Sequence, residues 1–186
     1  MSLHIVSGSL RGRAFDAPPG SATRPTMDRT RAAIFDLVAA RIDLDEALVL
    51  DVFAGSGALG FEALSRGAAA ATFVDNSGPA IRTIQKNALR LGVDEACEIL
   101  RKDGLRALAT PYGPPYRLAL ADPPYDLPAL PRLPDLALAH LEDGGLFVLE
   151  HDARHRFDDH PALSVSRRYG GTLVSVFARA EEREGR

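Results

Sequence analysis

The stretch that decides the fold is Ala47–Ala68, which reads ALVLDVFAGSGALGFEALSRGA. Its apolar start predicts a buried strand through Leu48–Asp51. A glycine-rich turn follows, and the next apolar residues predict a helix from about Ala58 to Ser65, which Gly67 closes. A strand, a glycine turn and a helix in this order are typical of proteins with a parallel sheet.

The rest of the chain continues this alternation of strands and helices. An amphipathic helix is predicted over 28–42, with Thr26 or Asp28 as its N-cap. Two strand-like runs around Gly170 and Gly171 predict an antiparallel hairpin at the end of the chain. The fold class is therefore α/β, a mostly parallel sheet with helices on both faces. The other predicted strands are 70–75, 97–103, 116–122 and 144–151. The other predicted helices are 79–91, 104–109 and 128–142, the last interrupted by Pro131 and Pro134.

Composition places the chain among ordinary globular proteins. It has 186 residues, 46% of them apolar and 25% charged, which suits one domain with a sizeable core. The N-terminus has no pattern of a signal peptide, and no run of 18 apolar residues predicts a membrane span. Cys97 is the only cysteine, so neither a disulfide nor a zinc site is predicted and a cytoplasmic location is expected.

Charge is distributed unevenly along the chain. The net charge is −3, but residues 1–31 carry five arginines and two aspartates, which leaves them at +3 and the remainder at −6. One interpretation is a docking site for a polyanion such as RNA, because releasing counterions from phosphates favours clustered cations. The simpler one is an arginine-rich, solvated surface. The arginines are Arg11, Arg13, Arg24, Arg29 and Arg31.

The glycine turn has the spacing of a nucleotide-binding loop. Gly55, Gly57 and Gly60 follow G-x-G-x-x-G, where glycine allows a tight turn and close approach of a ligand to the backbone. Asp75 ends the second predicted strand, where a carboxylate accepts hydrogen bonds from ribose hydroxyls in sheets of this type. A nucleoside cofactor is expected.

Two cofactors fit such a loop, NAD and S-adenosylmethionine. A short-chain dehydrogenase needs a tyrosine four residues before a lysine, and neither Lys86 nor Lys102 has one. Asp51 stands at the entrance of the loop, where its carboxylate would repel a pyrophosphate but suits a ligand with a sulfonium and an ammonium. The loop therefore favours S-adenosylmethionine.

The second motif is Asp-Pro-Pro-Tyr, Asp122 to Tyr125, at the end of the apolar run from Tyr116. Taken alone it is a proline-stiffened turn. Beside a methyl-donor loop it suits transfer to an exocyclic amine: the carboxylate of Asp122 and the carbonyl of Pro123 can accept the two N–H bonds and favour the tetrahedral nitrogen that attacks. Tyr125 can stack on the extracted base.

Together, DVFAGSGALG, FVDN, ADPPYD and the upstream RPTMDRTRAAIF resemble the bacterial 16S ribosomal RNA guanine-N2 methyltransferases (RsmD-like), in this order and over nearly the whole chain. The resemblance implies a seven-stranded, Rossmann-like class I methyltransferase fold with a small N-terminal extension. It implies S-adenosylmethionine as donor and a guanine of 16S rRNA, or of a small-subunit assembly particle, as acceptor. One departure is Ala32, where the family usually has glutamate.

The resemblance also assigns roles. It implies that the cofactor lies against Asp51, Ala54, Gly55, Gly57, Asp75 and Asp103. It makes Asp122, Pro123 and Tyr125 catalytic, and makes Arg11, Arg13, Arg24 and Arg29 contacts of RNA phosphates. The expected organisation is an RNA-docking extension and helix over 1–42, a cofactor-binding and catalytic core over 43–180 and a tail over 181–186, in a monomer.

Two further patterns have weaker interpretations. HDARHRFDDH, His151 to His160, has a spacing found in metal sites, but solvated loop side chains are the better interpretation, and no metal is predicted. Asn87 matches the family pattern, and a structural hydrogen bond from helix to loop is expected of it. A DNA adenine-N6 methylase and a non-catalytic ribosome-assembly factor remain as alternative functions.

Overall fold

The computed structural model describes residues 2–17, 25–110 and 113–181, with the backbone alone for 25–27. Arg24 and most of the predicted tail lie outside these residues. Within them, the strands are β1 (Ser2–His4), β2 (Ala14–Asp16), β3 (Leu48–Val52), β4 (Ala70–Asp75), β5 (Cys97–Arg101), β6 (Tyr116–Ala121), β7 (Leu141–His151), β8 (Leu163–Tyr169) and β9 (Thr172–Ala178). The α-helices are α1 (Pro25–Ala39), α2 (Ala58–Ser65), α3 (Gly78–Leu91), α4 (Gly104–Leu108) and α5 (Leu133–Leu138).

Seven strands form one sheet in the order β5-β4-β3-β6-β7-β9-β8. The first five are parallel, and β9 is antiparallel to both β7 and β8. This confirms the predicted α/β class, the mostly parallel sheet and the C-terminal antiparallel hairpin. From β3 the chain adds β4 and β5 on one side of the sheet and then β6 on the other, so the strand order switches between β3 and β6. In open α/β sheets, ligands bind at such a switch point, outside the carboxyl ends of the strands.

Each face of the sheet has its own core. One face is covered by α1, α2, α3 and the N-terminal strands, and its buried residues include Phe15, Phe35, Phe61 and Phe73. The other is covered by α4, α5 and the segment after β7. Because side chains alternate along a strand, each residue at the carboxyl end of a strand can be assigned to one face of the sheet.

Three predicted elements need correction. The first helix spans 25–39 rather than 28–42, and Asp28 lies within its first turn instead of capping it, because proline is favoured at a helix start. The helix predicted over 128–142 is a short 3₁₀ turn followed by α5, since the prolines lack N–H groups for a continuous helix. Strand β7 accordingly begins at Leu141, before the predicted 144.

The N-terminal region forms two strands that were not predicted from the sequence. Strands β1 and β2 pair antiparallel, and we call residues 2–16 the N-terminal hairpin. Its attachment is a buried carboxylate: Glu62 of α2 accepts hydrogen bonds from the backbone N–H groups of Val6 and Ser7, both at 2.9 Å. None of the helices within the described residues is long and apolar enough to cross a membrane.

Candidate active site

The glycine loop between β3 and α2 adopts a conformation that requires glycine. Gly55 and Gly57 have φ angles of 55° and 78°, in the left-handed region that side chains disfavour. A Cβ on Gly57 would lie 2.6 Å from the Phe61 ring, and one on Gly60 would lie 2.3 Å from the Phe73 ring. The loop is therefore held close to the helix and sheet. Ala54 begins it, with its N–H donating to the carbonyl of Val74 at 3.1 Å.

Phe53 precedes this loop with a φ of 61°. A positive φ is an outlier for a bulky residue, and such strain clusters at functional sites. Its ring approaches Gly104, the first residue of α4, so closely that a Cβ there would lie 2.7 Å away. The loops after β3 and after β5 are thus in direct contact.

Asp51 lies beneath the glycine loop and is buried. Its Oδ2 accepts a hydrogen bond from the N–H of Gly60 at 2.9 Å. Burial raises the pKa of Asp51 well above its ordinary range, and the charges of Asp122 and Asp75 raise it further. The structure thus gives Asp51 a part in fixing the loop, and its contact with a cofactor stays a prediction.

Asp75 ends β4, and Asp103 follows β5. Both carboxylates accept hydrogen bonds from backbone N–H groups. The carboxylate of Asp75 accepts from the N–H groups of Gly55 at 2.9 Å and Ser77 at 2.8 Å. Asp103 is the N-cap of α4, accepting from the N–H of Arg106 at 2.9 Å. Each carboxylate oxygen has a second lone pair, so these bonds leave room for the predicted cofactor contacts, which stay predictions.

Asp122 directly follows β6, which pairs with β3 through Val52 and Ala121. The structure therefore brings the Asp-Pro-Pro-Tyr motif beside the glycine loop, as predicted. No hydrogen bond within the described residues engages the Asp122 carboxylate or the Pro123 carbonyl. Asp122 remains open to solvent, but the surrounding protein displaces part of its hydration and raises its pKa to about 6.

Tyr125 is partly buried and fastened at both ends. Its hydroxyl lies 3.0 Å from Oγ1 of Thr172 at the start of β9, and its carbonyl accepts from the guanidinium of Arg154 at 3.1 Å. Desolvation raises the pKa of Tyr125, and the hydrogen bond to Thr172 lowers it by a smaller amount. The stacking of a base on this ring stays a prediction.

Sequence reasoning missed Glu150. It lies at the carboxyl end of β7, the strand beside β6, and follows the pair Ala121 and Leu149. Alternation along the strands puts it on the same sheet face as Asp51, Asp75 and Asp122, three of the four predicted aspartates. We call Asp75, Asp51, Asp122 and Glu150, at the ends of β4, β3, β6 and β7, the carboxylate row. The signal that could have found Glu150 is FVLEH, which repeats the apolar-then-acidic ending of LALAD.

The N-terminal arginines divide into two groups. Arg11 and Arg29 are exposed. Arg13 donates to the carbonyls of Arg90 and Leu91 at the C-terminus of α3, at 2.7 and 2.5 Å, where a cation also suits the helix dipole. Its contact with RNA stays a prediction.

Arg31 is not available to a polyanion, although it is one of the five arginines of residues 1–31 that were considered as a docking site. Its side chain is only 4% exposed and forms ion pairs with Asp28 at 2.8 Å and Glu62 at 3.4 Å. It also donates to the carbonyl of His4 at 2.5 Å. The guanidinium of Arg31 thus helps to hold α1 against the N-terminal hairpin.

Asn87 has the structural role expected of it. Its amide accepts from the N–H of Asp16 at 2.8 Å and donates to the carbonyls of Asp16 and Ser56. It therefore connects α3 to the N-terminal hairpin and the glycine loop. This part of the prediction is confirmed.

The histidine segment is not simply solvated. His151 is buried, lies 2.8 Å from Ser175 Oγ and packs edge-on against Phe157. His160 lies 3.2 Å from Asp135. The prediction of solvated side chains is wrong for His151, because β7 extends through it and places it on the buried face. Among the described residues, no three metal-ligating side chains form a group that could hold an ion.

The fold and the site are those of a Rossmann-like class I methyltransferase: a donor loop after β3 and an Asp-Pro-Pro-Tyr motif after the adjacent β6. The chain belongs to the family described as Conserved hypothetical protein 95, whose model matches residues 3–178. The predicted RsmD-like resemblance is thereby confirmed.

Similar proteins cover most of the chain. YlbH of Bacillus subtilis, provisionally named an rRNA methyltransferase, is 36% identical over 182 residues, 94% of this chain and 98% of YlbH. Ribosomal RNA small subunit methyltransferase D of Escherichia coli K12 is 37% identical over 123 residues, 66% of this chain and 60% of that protein. The solved structure of E. coli yhhF, provisionally named a methyltransferase, is 29% identical with a TM-score of 0.83, covering 98% of this chain and all of that one.

Proposed function

We propose that this protein methylates the exocyclic N2 amine of one guanine in 16S ribosomal RNA, with S-adenosylmethionine as donor. The observation that carries the proposal is the pairing of β3 with β6, which puts an unengaged carboxylate and an unengaged carbonyl directly beside the glycine loop. Support for the RNA comes from relatives that are named small subunit rRNA methyltransferases.

The residues present suit the donor. A Cβ on Gly55 would approach only the Phe53 carbonyl, at 4.0 Å, so the glycine leaves open space in which a ligand can approach the backbone. The free lone pairs of Asp75 suit ribose hydroxyls, and Asp103 borders the same edge at the start of α4. The negative charge of Asp122 suits a cationic ligand. When bound, S-adenosylmethionine supplies an electrophilic methyl group on a sulfonium sulfur.

The acceptor needs help because the lone pair of a guanine amine is conjugated into the ring. Asp122 and the carbonyl of Pro123 can each accept one N–H of that amine, which turns the lone pair toward the methyl group. The nitrogen would form its new bond to the methyl carbon as the bond from that carbon to sulfur breaks, with the electron pair of that bond left on sulfur. The Asp122 carboxylate would stabilise the positive charge that grows on nitrogen and can take the released proton. Tyr125 holds the extracted base by stacking.

RNA docking is assigned to residues 1–42, and donor binding and catalysis to 43–180, in a monomer. Arg11, Arg13 and Arg29 of the first segment are exposed, and Arg24 is the fourth candidate. The proposed acceptor is the RNA of an assembling small subunit. Arg29→Ala should weaken RNA binding and reduce its salt dependence by about one phosphate contact.

Methyl transfer from labelled donor tests the proposal. Small-subunit particles lacking the modification should take up label at one guanine, whereas transfer to DNA adenine would identify an adenine methylase instead. Calorimetry that finds no affinity for S-adenosylmethionine would point to an assembly factor.

The matched variants are Asp122→Ala and Asp126→Ala. Asp126 is an exposed carboxylate four residues further along. Loss of Asp122 should reduce the rate at least about 100-fold with donor affinity retained, while Asp126→Ala should remain active. A fully active Asp122→Ala would rule out the mechanism.

A further inference from the structure

Glu150 lies beside Asp122 at the proposed acceptor site. Strands β6 and β7 are parallel, with Ala121 opposite Leu149, so Asp122 and Glu150 are the next residues of adjacent strands. Neighbouring strands lie about 4.8 Å apart. Leu146 and Val148 of β7 belong to the same core cluster as Leu118 and Leu120 of β6, so by alternation the two acids share a face.

Several charged or titratable groups face Glu150. Asp122 comes from β6, Asp51 from β3 and Arg31 from α1, and Tyr125 from the loop after β6 interacts with it as well. Its partner on β9 is the uncharged Val174. No hydrogen bond within the described parts of the chain occupies the Glu150 carboxyl group, so it is available to a ligand.

The balance of these groups keeps a proton on Glu150. Desolvation, with the negative charges of Asp122 and Asp51, raises its pKa to about 8 against the opposing effect of Arg31. Of the two acids, Glu150 therefore keeps its proton to the higher pH, because the pKa of Asp122 is raised only to about 6. The two adjacent acids thus offer different hydrogen-bonding groups.

We propose that Glu150 is the residue that selects guanine, by pairing as a carboxylic acid with the N1–H and O6 of the base while Asp122 and Pro123 hold its N2 amine. This inference rests on the function proposed above. It makes Glu150 a specificity residue that touches the substrate without taking part in the bonds that change.

The pairing follows from hydrogen-bond complementarity. Guanine presents a donor, N1–H, next to an acceptor, O6, and a carboxylic acid presents an acceptor carbonyl next to a donor hydroxyl. Two parallel bonds can therefore form. An ionised carboxylate has no donor for O6, and adenine has an acceptor at N1 where guanine has a donor. On guanine the N2 amine is next to N1–H and O6. On the sheet Asp122 is likewise next to Glu150.

The test compares guanine with 2-aminopurine at the methylated position of an RNA substrate. The analogue keeps the amine but lacks N1–H and O6. Wild-type protein should prefer guanine by about tenfold in kcat/KM, and Glu150→Gln should preserve that preference because its amide offers the same acceptor and donor. Glu150→Leu should lose about 10- to 100-fold on guanine and treat both bases alike. Glu142→Leu, at the far end of β7, is the control and should behave as wild type.

The outcomes separate this inference from the proposed function. Wild-type protein that methylates guanine but uses 2-aminopurine equally well overturns the role of Glu150 and leaves the function standing. Glu150→Gln as impaired as Glu150→Leu also overturns it, since the amide keeps the acceptor and the donor and lacks only the charge and the titratable proton. No transfer to any guanine by the wild type overturns both. Because the base comparison uses wild-type protein, the test does not depend on a variant folding, and donor affinity by calorimetry checks each variant.

Discussion

The attachment of the N-terminal hairpin to α2 gives the sharpest prediction, for the substitution Glu62→Gln. Glu62 is completely buried. Its carboxylate accepts two backbone N–H bonds at 2.9 Å and pairs with Arg31 at 3.4 Å and Arg66 at 3.1 Å. Glutamine has nearly the same shape, so the substitution removes the charge without leaving a cavity.

The size of the stability loss is set by the groups that lose the Glu62 carboxylate as their partner. Arg31 is 4% exposed, and breaking a buried ion pair by removing one charge costs about 3–5 kcal/mol. The amide also directs its NH₂ toward donors, so at least one N–H is left unpaired, which costs roughly 1–3 kcal/mol. Arg31 keeps Asp28, and these costs overlap, so we expect the free energy of unfolding to fall by about 4 kcal/mol.

Urea denaturation followed by circular dichroism measures this change, and the melting temperature should fall by roughly 10 °C. Asp158→Asn is the matched control, since Asp158 pairs with Arg156 but their side chains are 64% and 81% exposed. Surface pairs of this kind contribute little, about 0–1 kcal/mol. A loss for Glu62→Gln no larger than that of the control would refute the reasoning.

Three other outcomes are expected. Gly60→Ala should lower the free energy of unfolding by about 1–3 kcal/mol because its Cβ would overlap the Phe73 ring, whereas Gly171→Ala, with no atom near the new Cβ, should change it little in the same melts. Tyr125→Phe should lose about 1 kcal/mol in urea denaturation by giving up its hydroxyl contact, yet keep methyl transfer because the ring remains. The rate of transfer should fall as the pH drops below about 6, where Asp122 takes up a proton and no longer stabilises positive charge; a pH–rate profile flat from 5 to 7 would contradict this.

The order of elements could be predicted well because it depends on local patterns. Apolar runs of strand length, glycine turns and amphipathic segments alternate along the chain, and each pattern requires only its own few residues. Errors appeared where local signals competed. Around Pro131 and Pro134 the apolar spacing suggested a helix to 142, but prolines and the long strand β7 divided the segment differently.

The chemistry of the two motifs was also readable from the sequence. The φ angles of Gly55 and Gly57 require the residue type that stands there, and an aspartate and prolines after an apolar run are recognisable without knowing what lies opposite. Their meeting could be expected from the general rule that ligands bind at the carboxyl ends of parallel strands.

What the sequence by itself determined is the class of fold and the type of chemistry, since both are written in short contiguous stretches. Only the tertiary structure decided which charges are buried and which acids are neighbours. Glu150 comes next to Asp122 because β7 pairs with β6, and Arg31 left the surface because Glu62, 31 residues further along, lies beneath it. The pKa of an acid and the availability of an arginine depend on surrounding groups that are distant in sequence, and folding alone brings those groups together.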